Sequence, residues 1–448
     1  MWTWFLLVVG FSLIGISVWK GYSRDLFHPL VLFGLLYSTK YLVRPFILMF
    51  DLDTPATFFL LYESPAGLAV ETFLLQTAGV LAFVLGCGRK SQISSAFENS
   101  LPSFRGRGIR KQILEICVIG ALGIAAMTIL YFIAQTGSVT KFMVQARTGI
   151  LGSVGKKSIP VAATMAGFFM VVCLRDGQPR QTIRSTIYVG CGLILLFLIN
   201  DRNSFVYGCL VVMIGYHFCI RRISSQQLLA LLIFGLVSLN IMTFFRAELR
   251  GNDNSSIQEI ATSYSPGEML GGDSNPYATI THTLNADTFD HFMVITQDYD
   301  SVGDYHWGRD FYRGLIGVIP RAIWPGKPDQ ITTGSWFRAK YYPSWTEGGR
   351  PIGVIGEWYL NFGILGILFG CFFSGNLLRA FYDNIESSGG DPRAAFLYII
   401  AFLYLSAWGV VTVTTAQNMI FWLVPFSVLF LLIRKPGSPN RRERAAYG

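Results

Sequence analysis

Five arginines stand where a pyrophosphate would need them: Arg202, Arg246, Arg250, Arg321 and Arg350. Arg202 sits in a three-residue turn, Asp201-Arg202-Asn203, between two apolar runs. Arg246 and Arg250 close the eighth apolar run, Arg321 follows Pro320, and Arg350 precedes Pro351 and the ninth run. All five are expected near the outer membrane surface. A guanidinium keeps its charge when partly desolvated and presents a planar fork to phosphate oxygens. Pairing with neighbouring acids such as Asp201 and Glu248, or reaching out to headgroups, is the plainer use of any one of them. It accounts less well for all five, because cations are disfavoured on the translocated side of a membrane.

Proton transfer has its own candidates. Glu357 lies about one turn into the ninth apolar run, and an ionisable group within a membrane helix points to function. It would deprotonate a hydroxyl nucleophile, or else pair structurally with one of the arginines. His282, His291 and His306 are three of the five histidines, and all lie between Arg246 and Pro351. His291, with Asp290 adjoining it, is the next choice of base. Asp51-Leu52-Asp53 and Asp298-Tyr299-Asp300 are short carboxylate pairs of the kind that hold a divalent ion, though two residues match by chance easily. Lys40 and Arg44, four apart on one helical face, point into the bundle, toward ligand phosphate or toward Asp51 and Asp53. No His-x-x-His or Cys-x-x-Cys pair, phosphate-binding Gly-Lys-Ser/Thr loop or Gly-x-Ser-x-Gly elbow occurs. We therefore expect no metal, no cofactor and no nucleotide hydrolysis.

The elements that must hold these groups are membrane helices. The chain is 52% hydrophobic and 14% charged, with a mean hydropathy of +0.44. That composition belongs to a polytopic membrane protein. The net charge of +9 does not indicate nucleic acid, since its positive residues sit in short loops beside apolar runs. Runs of about 17–25 apolar residues mark spans. Eleven are expected, near 2–19, 26–48, 66–86, 112–134, 158–174, 185–200, 204–220, 227–245, 352–374, 394–414 and 417–433. Residues 1–19 lack a basic start and a small-residue cleavage site, so they read as a retained span. Placing the loops at 20–25, 87–111, 175–184, 221–226 and 375–393 with the tail from Arg434 on one side collects 20 of the 36 Lys and Arg. That side is cytoplasmic, with the N-terminus outside and the C-terminus inside. The expected organisation is an N-terminal bundle (1–245), a large extracytoplasmic segment (246–351), three further spans (352–433) and a cytoplasmic tail (434–448). Residues 283–300 and 309–318 are expected as short helices on the outer surface. All seven cysteines lie in or near apolar segments, so no disulfide framework is expected in the outer segment.

Two runs in this region resemble a known family. Ile319-Pro320-Arg321-Ala322-Ile323-Trp324-Pro325-Gly326-Lys327-Pro328 is one, and Gly356-Glu357-Trp358-Tyr359-Leu360-Asn361-Phe362-Gly363 is the other. With Asp201-Arg202-Asn203-Ser204 and Phe245-Arg246-Ala247-Glu248, they look like the Wzy-type oligosaccharide repeat unit polymerases of bacterial inner membranes. The resemblance covers roughly residues 200–370; the first 190 match only as apolar spans. It implies an all-α, GT-C-like multi-span glycosyltransferase that moves a growing glycan from undecaprenyl pyrophosphate onto the next lipid-linked repeat unit. It also implies a flippase and a chain-length regulator as partners, and no nucleic acid. The pyrophosphate reading of the arginines agrees with it. A ligase-like transferase shares the donor and differs in the acceptor. A lipid-linked oligosaccharide flippase would be no enzyme, and would place its arginines in a central cavity between repeated halves. A scaffold role would leave the arginines and Glu357 without a use.

Overall fold

The computed structural model describes residues 2–22, 25–38, 42–49, 65–88, 90–102, 104, 108–148, 152–199, 202–251, 287–299, 304–317, 319, 323–328, 331–344, 349–405 and 413–434. Among them every regular element is an α-helix, apart from one isolated bridge between Ile109 and Arg434. Each of the eleven apolar runs overlaps helix among these residues. In chain order the first are α1 (Trp2–Tyr22), α2 (Pro29–Tyr37), α3 (Val43–Met49), α4 (Pro65–Gly88) and α5 (Gln92–Ser100). Next come α6 (Lys111–Thr136), α7 (Val139–Thr148), α8 (Gly152–Arg175), α9 (Pro179–Leu198), α10 (Arg202–Cys219) and α11 (Ser225–Gly251). The rest are α12 (Thr288–Asp298), α13 (Arg309–Gly317), α14 (Thr333–Tyr341), α15 (Gly353–Ser387), α16 (Pro392–Leu405) and α17 (Val413–Leu432).

The run at 26–48 carries α2 and α3, with residues 39–41 between them outside the described residues. Proline explains where each begins. Pro29 opens α2 behind His28, whose ring accepts from the Leu30 N–H. Pro45 stands in the first turn of α3, where an N–H has no intrahelical acceptor anyway. Helices α5, α7 and α14 were not expected. α14 starts at Thr332, whose hydroxyl accepts from the Ser335 N–H at 3.1 Å, the usual means of satisfying a first-turn donor.

Among the described residues, five helical stretches are long and apolar enough to cross a membrane: Leu68–Gly88, Lys111–Thr136, Ser158–Arg175, Pro179–Leu198 and Gly353–Ser387. On α6, Ile116, Ile124 and Met127 are each about two-thirds exposed. A helix that is apolar all round and bare over much of its surface requires an apolar solvent. The chain is therefore a membrane-embedded helical protein.

The chain divides into two compact units, each built from separated stretches. The first comprises residues 1–100, 265–383 and 400–420; the second comprises 101–264, 384–399 and 421–448. The division expected above follows membrane sides, whereas this one follows compactness. In the second unit α8 is the central helix, flanked by α6, α9 and α10. There Arg393 is fully buried, its guanidinium forked onto Asp391 at 2.8 and 2.9 Å and lying over the Phe104 ring.

In the first unit α4 and α15 approach closely. A Cβ placed on Gly375 would lie 2.5 Å from the Phe83 carbonyl oxygen, and one on Gly86 would strike that of Phe372. Reciprocal glycines let two membrane helices pack backbone to backbone. Gly375→Val is thus expected to cost about 2–3 kcal/mol by overpacking, measurable by denaturant unfolding in mixed micelles. Helix α12 differs from expectation. It does not lie on a surface, because Thr288 to Thr296 are all buried within this unit. Phe289, Phe292, Val294 and Ile295 supply the apolar reason, and its polar groups all find partners inside: Thr296 donates to the Phe292 carbonyl and accepts from Thr72.

Candidate functional site

Helix α15 is broken within the Gly-Glu-Trp-Tyr-Leu-Asn-Phe-Gly run. Gly363 has φ 62° and ψ −152°, a region open in practice only to glycine. The break leaves the carbonyls of the preceding turn without helical donors. Two are satisfied by the segment just before α13: the His306 N–H donates to the Leu360 oxygen and the Trp307 N–H to the Asn361 oxygen, both at 2.9 Å. Making both bonds puts Trp307 at φ 49°, the one non-glycine with positive φ among the described residues. An indole side chain there costs of order 1–3 kcal/mol, and such strain gathers at functional sites.

The docked segment delivers polar side chains into an otherwise apolar interior. His306 Nδ1 lies 2.8 Å from Asp310 Oδ2. Asn361 Nδ2 donates to the same oxygen at 3.2 Å and to the Glu357 carbonyl at 3.0 Å. Arg309 Nη2 lies 2.9 Å from His306 Nε2. Asp310, Asn361 and Glu357 are buried, whereas Arg309 is exposed. Glu357 and Asn361 are four apart on one helical face. The Asn361 Oδ1 is buried with no hydrogen-bond partner among the described residues. Aromatic rings wall the histidine: Trp336 at 5.0 Å and Tyr299 at 5.9 Å between centroids. Lys340 stands 4.6 Å above the Tyr299 ring and bonds Asp298 at 3.3 Å. A carboxylate-oriented imidazole with a guanidinium on its other nitrogen is an arrangement able to accept a proton beside a cation.

Of the residues singled out from sequence, Glu357 adjoins this cluster through its backbone carbonyl, which accepts from Asn361, and its side chain is buried. Asp290 and His291 do not belong to it, nor do they face each other. Consecutive helical positions point about 100° apart, and these two diverge accordingly. Asp290 accepts from Arg44 Nε at 3.0 and 3.1 Å in a fully buried ion pair. His291 Nδ1 donates to the Pro351 carbonyl at 2.8 Å, with its ring against Phe337. Arg350 pairs with Asp287 at 3.2 Å and lies over the Tyr342 ring. Arg202, Arg246 and Arg250 occupy α10 and α11 in the second unit; their side chains, and Arg321, lie outside the described residues. So do Lys40, Asp51, Asp53, His282 and Asp300. Lys327 folds its run into a closed loop by donating to the Ile319 carbonyl at 2.5 Å. Asp298 is held by Tyr341 and Lys340.

Arg309, Asp310 and Asn361 are not among the candidates that the sequence alone singles out. The available signals were the four-residue spacing of His306 to Asp310 and of Glu357 to Asn361. Comparison with known family models, curated proteins and solved structures finds no match for the chain.

Proposed function

We propose that this protein is a membrane glycosyltransferase that joins lipid-pyrophosphate-linked oligosaccharide repeat units into polymer at the outer face of a bacterial inner membrane. The observation that carries this reading is the His306–Asp310–Asn361 cluster, assembled at the break in α15, one turn after the buried Glu357, within one of the two runs that resemble repeat unit polymerases. In this reading the chain crosses the membrane eleven times in a GT-C-like arrangement, with its N-terminus outside. The acceptor sugar hydroxyl attacks the anomeric carbon of the donor as its proton passes to a base of the cluster. The bond from that carbon to the diphosphate oxygen breaks, and the electron pair leaves with the diphosphate. Arg246 and Arg321, with Arg202, Arg250 and Arg350, are assigned to the growing negative charge, where preorganised donors contribute most.

The test is purified protein in detergent with undecaprenyl-pyrophosphate-linked repeat units, read on a gel. A ladder of increasing length is expected. Arg246→Ala and Arg321→Ala are each expected to reduce it at least ~100-fold, the scale of losing one charge-stabilising contact, while the protein stays in the membrane. Normal ladders from both would end the clamp assignment. One observation favours a second reading: a broken membrane helix is also how transporters build substrate sites. A flippase would move the lipid-linked unit across proteoliposomes and make no ladder. A single transfer to a different lipid acceptor would indicate a ligase.

A further inference from the structure

We infer that Arg309 is an anion-operated cover on His306: it occupies the proton-accepting nitrogen at rest and gives it up when the donor diphosphate binds. The inference rests on the glycosyl-transfer reading of this site and adds to it both the base and a diphosphate ligand.

The partners of the imidazole define its chemistry. A carboxylate only accepts, so His306 Nδ1 carries the hydrogen shared with Asp310 at 2.8 Å. A guanidinium only donates, so Nε2 presents its lone pair to Arg309 at 2.9 Å. The ring is thus in its neutral Nδ1–H form, and the atom able to take a proton is the one Arg309 covers. A hydroxyl needs hydrogen-bond reach of that atom, so the guanidinium must leave first.

Mobility is distributed in the right way. His306 is fixed twice, through its backbone N–H on the Leu360 carbonyl and its side chain on Asp310, which Asn361 holds in turn. Trp336 and Tyr299 close on the ring at 5.0 and 5.9 Å. Arg309 is exposed, and its side chain is the long, rotatable member of the group. Lys340, whose ammonium stands over the Tyr299 and Trp336 rings, is engaged by Asp298. A guanidinium prefers a bidentate, charge-assisted contact with phosphate oxygens to a single bond from a neutral imidazole. A diphosphate arriving beside α13 therefore takes Arg309 from the histidine.

The step that follows is balanced. The acceptor O–H proton goes to Nε2, and the imidazolium formed is stabilised by Asp310. The acceptor oxygen bonds to the anomeric carbon, and the diphosphate leaves with the electron pair onto oxygens that Arg309 now contacts. Without a donor the base stays covered, so it activates neither water nor acceptor.

The experiment uses the full chain purified in detergent. Diethyl pyrocarbonate modifies an imidazole at a free nitrogen lone pair, and peptide mass spectrometry reads the rate at His306 separately from that at His291. Slow modification is expected at rest. Inorganic pyrophosphate, against chloride at equal ionic strength, should speed it at least tenfold at His306 alone. Arg309→Ala should be fast with or without pyrophosphate. No acceleration by pyrophosphate in the wild-type chain, or protection by it, would overturn the inference, as would a slow Arg309→Ala variant. A rise at both histidines would mean general loosening and also count against it. None of these readouts requires glycosyl transfer: unmasking without a ladder removes the polymerase reading alone, and a ladder without unmasking removes the cover alone.

Discussion

Gly363→Ala is expected to unfold the site. Two penalties act at once. The backbone at φ 62°, ψ −152° is a conformation that an L-residue occupies only under strain. The added Cβ would also stand 2.6–2.7 Å from the Tyr305 ring and its hydroxyl. Together they amount to roughly 3–5 kcal/mol, a large part of the stability of an ordinary domain. The chain can relieve this only by straightening α15 or expelling the segment at 304–308. Either course withdraws the Leu360 and Asn361 carbonyls from the His306 and Trp307 N–H groups and releases the histidine from Asp310. Ladder synthesis should fall at least ~100-fold, the scale of losing a positioned catalytic group. Limited proteolysis at 304–308 should accelerate in parallel. Tyr305→Ala on the Gly363→Ala background removes the clash and leaves the backbone strain, so it should recover only part of the stability. Full recovery would show that sterics, not the backbone conformation, demands glycine here.

Breaking the Arg44–Asp290 pair is the second large effect. Arg44 lies on α3 and Asp290 on α12, 246 positions apart, and both side chains are at most 3% exposed. Arg44→Ala would strand a carboxylate with no access to water. That loss is expected to reach about 3–5 kcal/mol, because an uncompensated buried charge is worse than no charge. Removing both, as Arg44→Met with Asp290→Leu, should be close to neutral by the same reasoning. Denaturant midpoints for the two singles and the double decide it. Three equal losses would mean that volume, not charge, matters at this contact. Asp290→Asn then asks about chemistry: a stable variant without ladder synthesis would give Asp290 a catalytic role that its place beside Arg44 does not by itself suggest.

Much of the helical pattern was legible in the sequence, since membrane helices are set by run length and polarity alone. Each apolar run from 2–19 to 417–433 overlaps helix among the described residues. Even 309–318 emerged, as α13. The failures have local causes. Helix α12 is expected on the outer surface, yet Thr288 to Thr296 are buried, with Arg44 neutralising Asp290 from a distant part of the chain. No periodicity reveals a partner 246 residues away. Glu357 was found because a carboxyl group inside an apolar run is conspicuous. Its neighbours were not, because Asn361 is unremarkable by itself and becomes a ligand of Asp310 only where the helix stops at Gly363. A glycine in an apolar run reads equally well as a packing residue, which Gly375 is. His306 gained weight over His291 only once its partners were known: a carboxylate and a guanidinium instead of a backbone carbonyl.

The interleaving of the two units bears on how the chain is made. Residues 1–100 cannot complete their own unit until 265–383 and 400–420 have been synthesised, and the second unit likewise waits for 384–399 and 421–448. Folding domain by domain behind the ribosome is the usual protection against misassembly, and this order of segments denies it to both halves. Arg44 must go without its carboxylate until α12 is made, since Asp290 follows it by 246 positions. A chain stopped anywhere before α15 is then an orphan substrate for membrane quality control, whatever its catalytic residues. Abundance should respond to truncation far more steeply at the C-terminal helices than their length alone would imply.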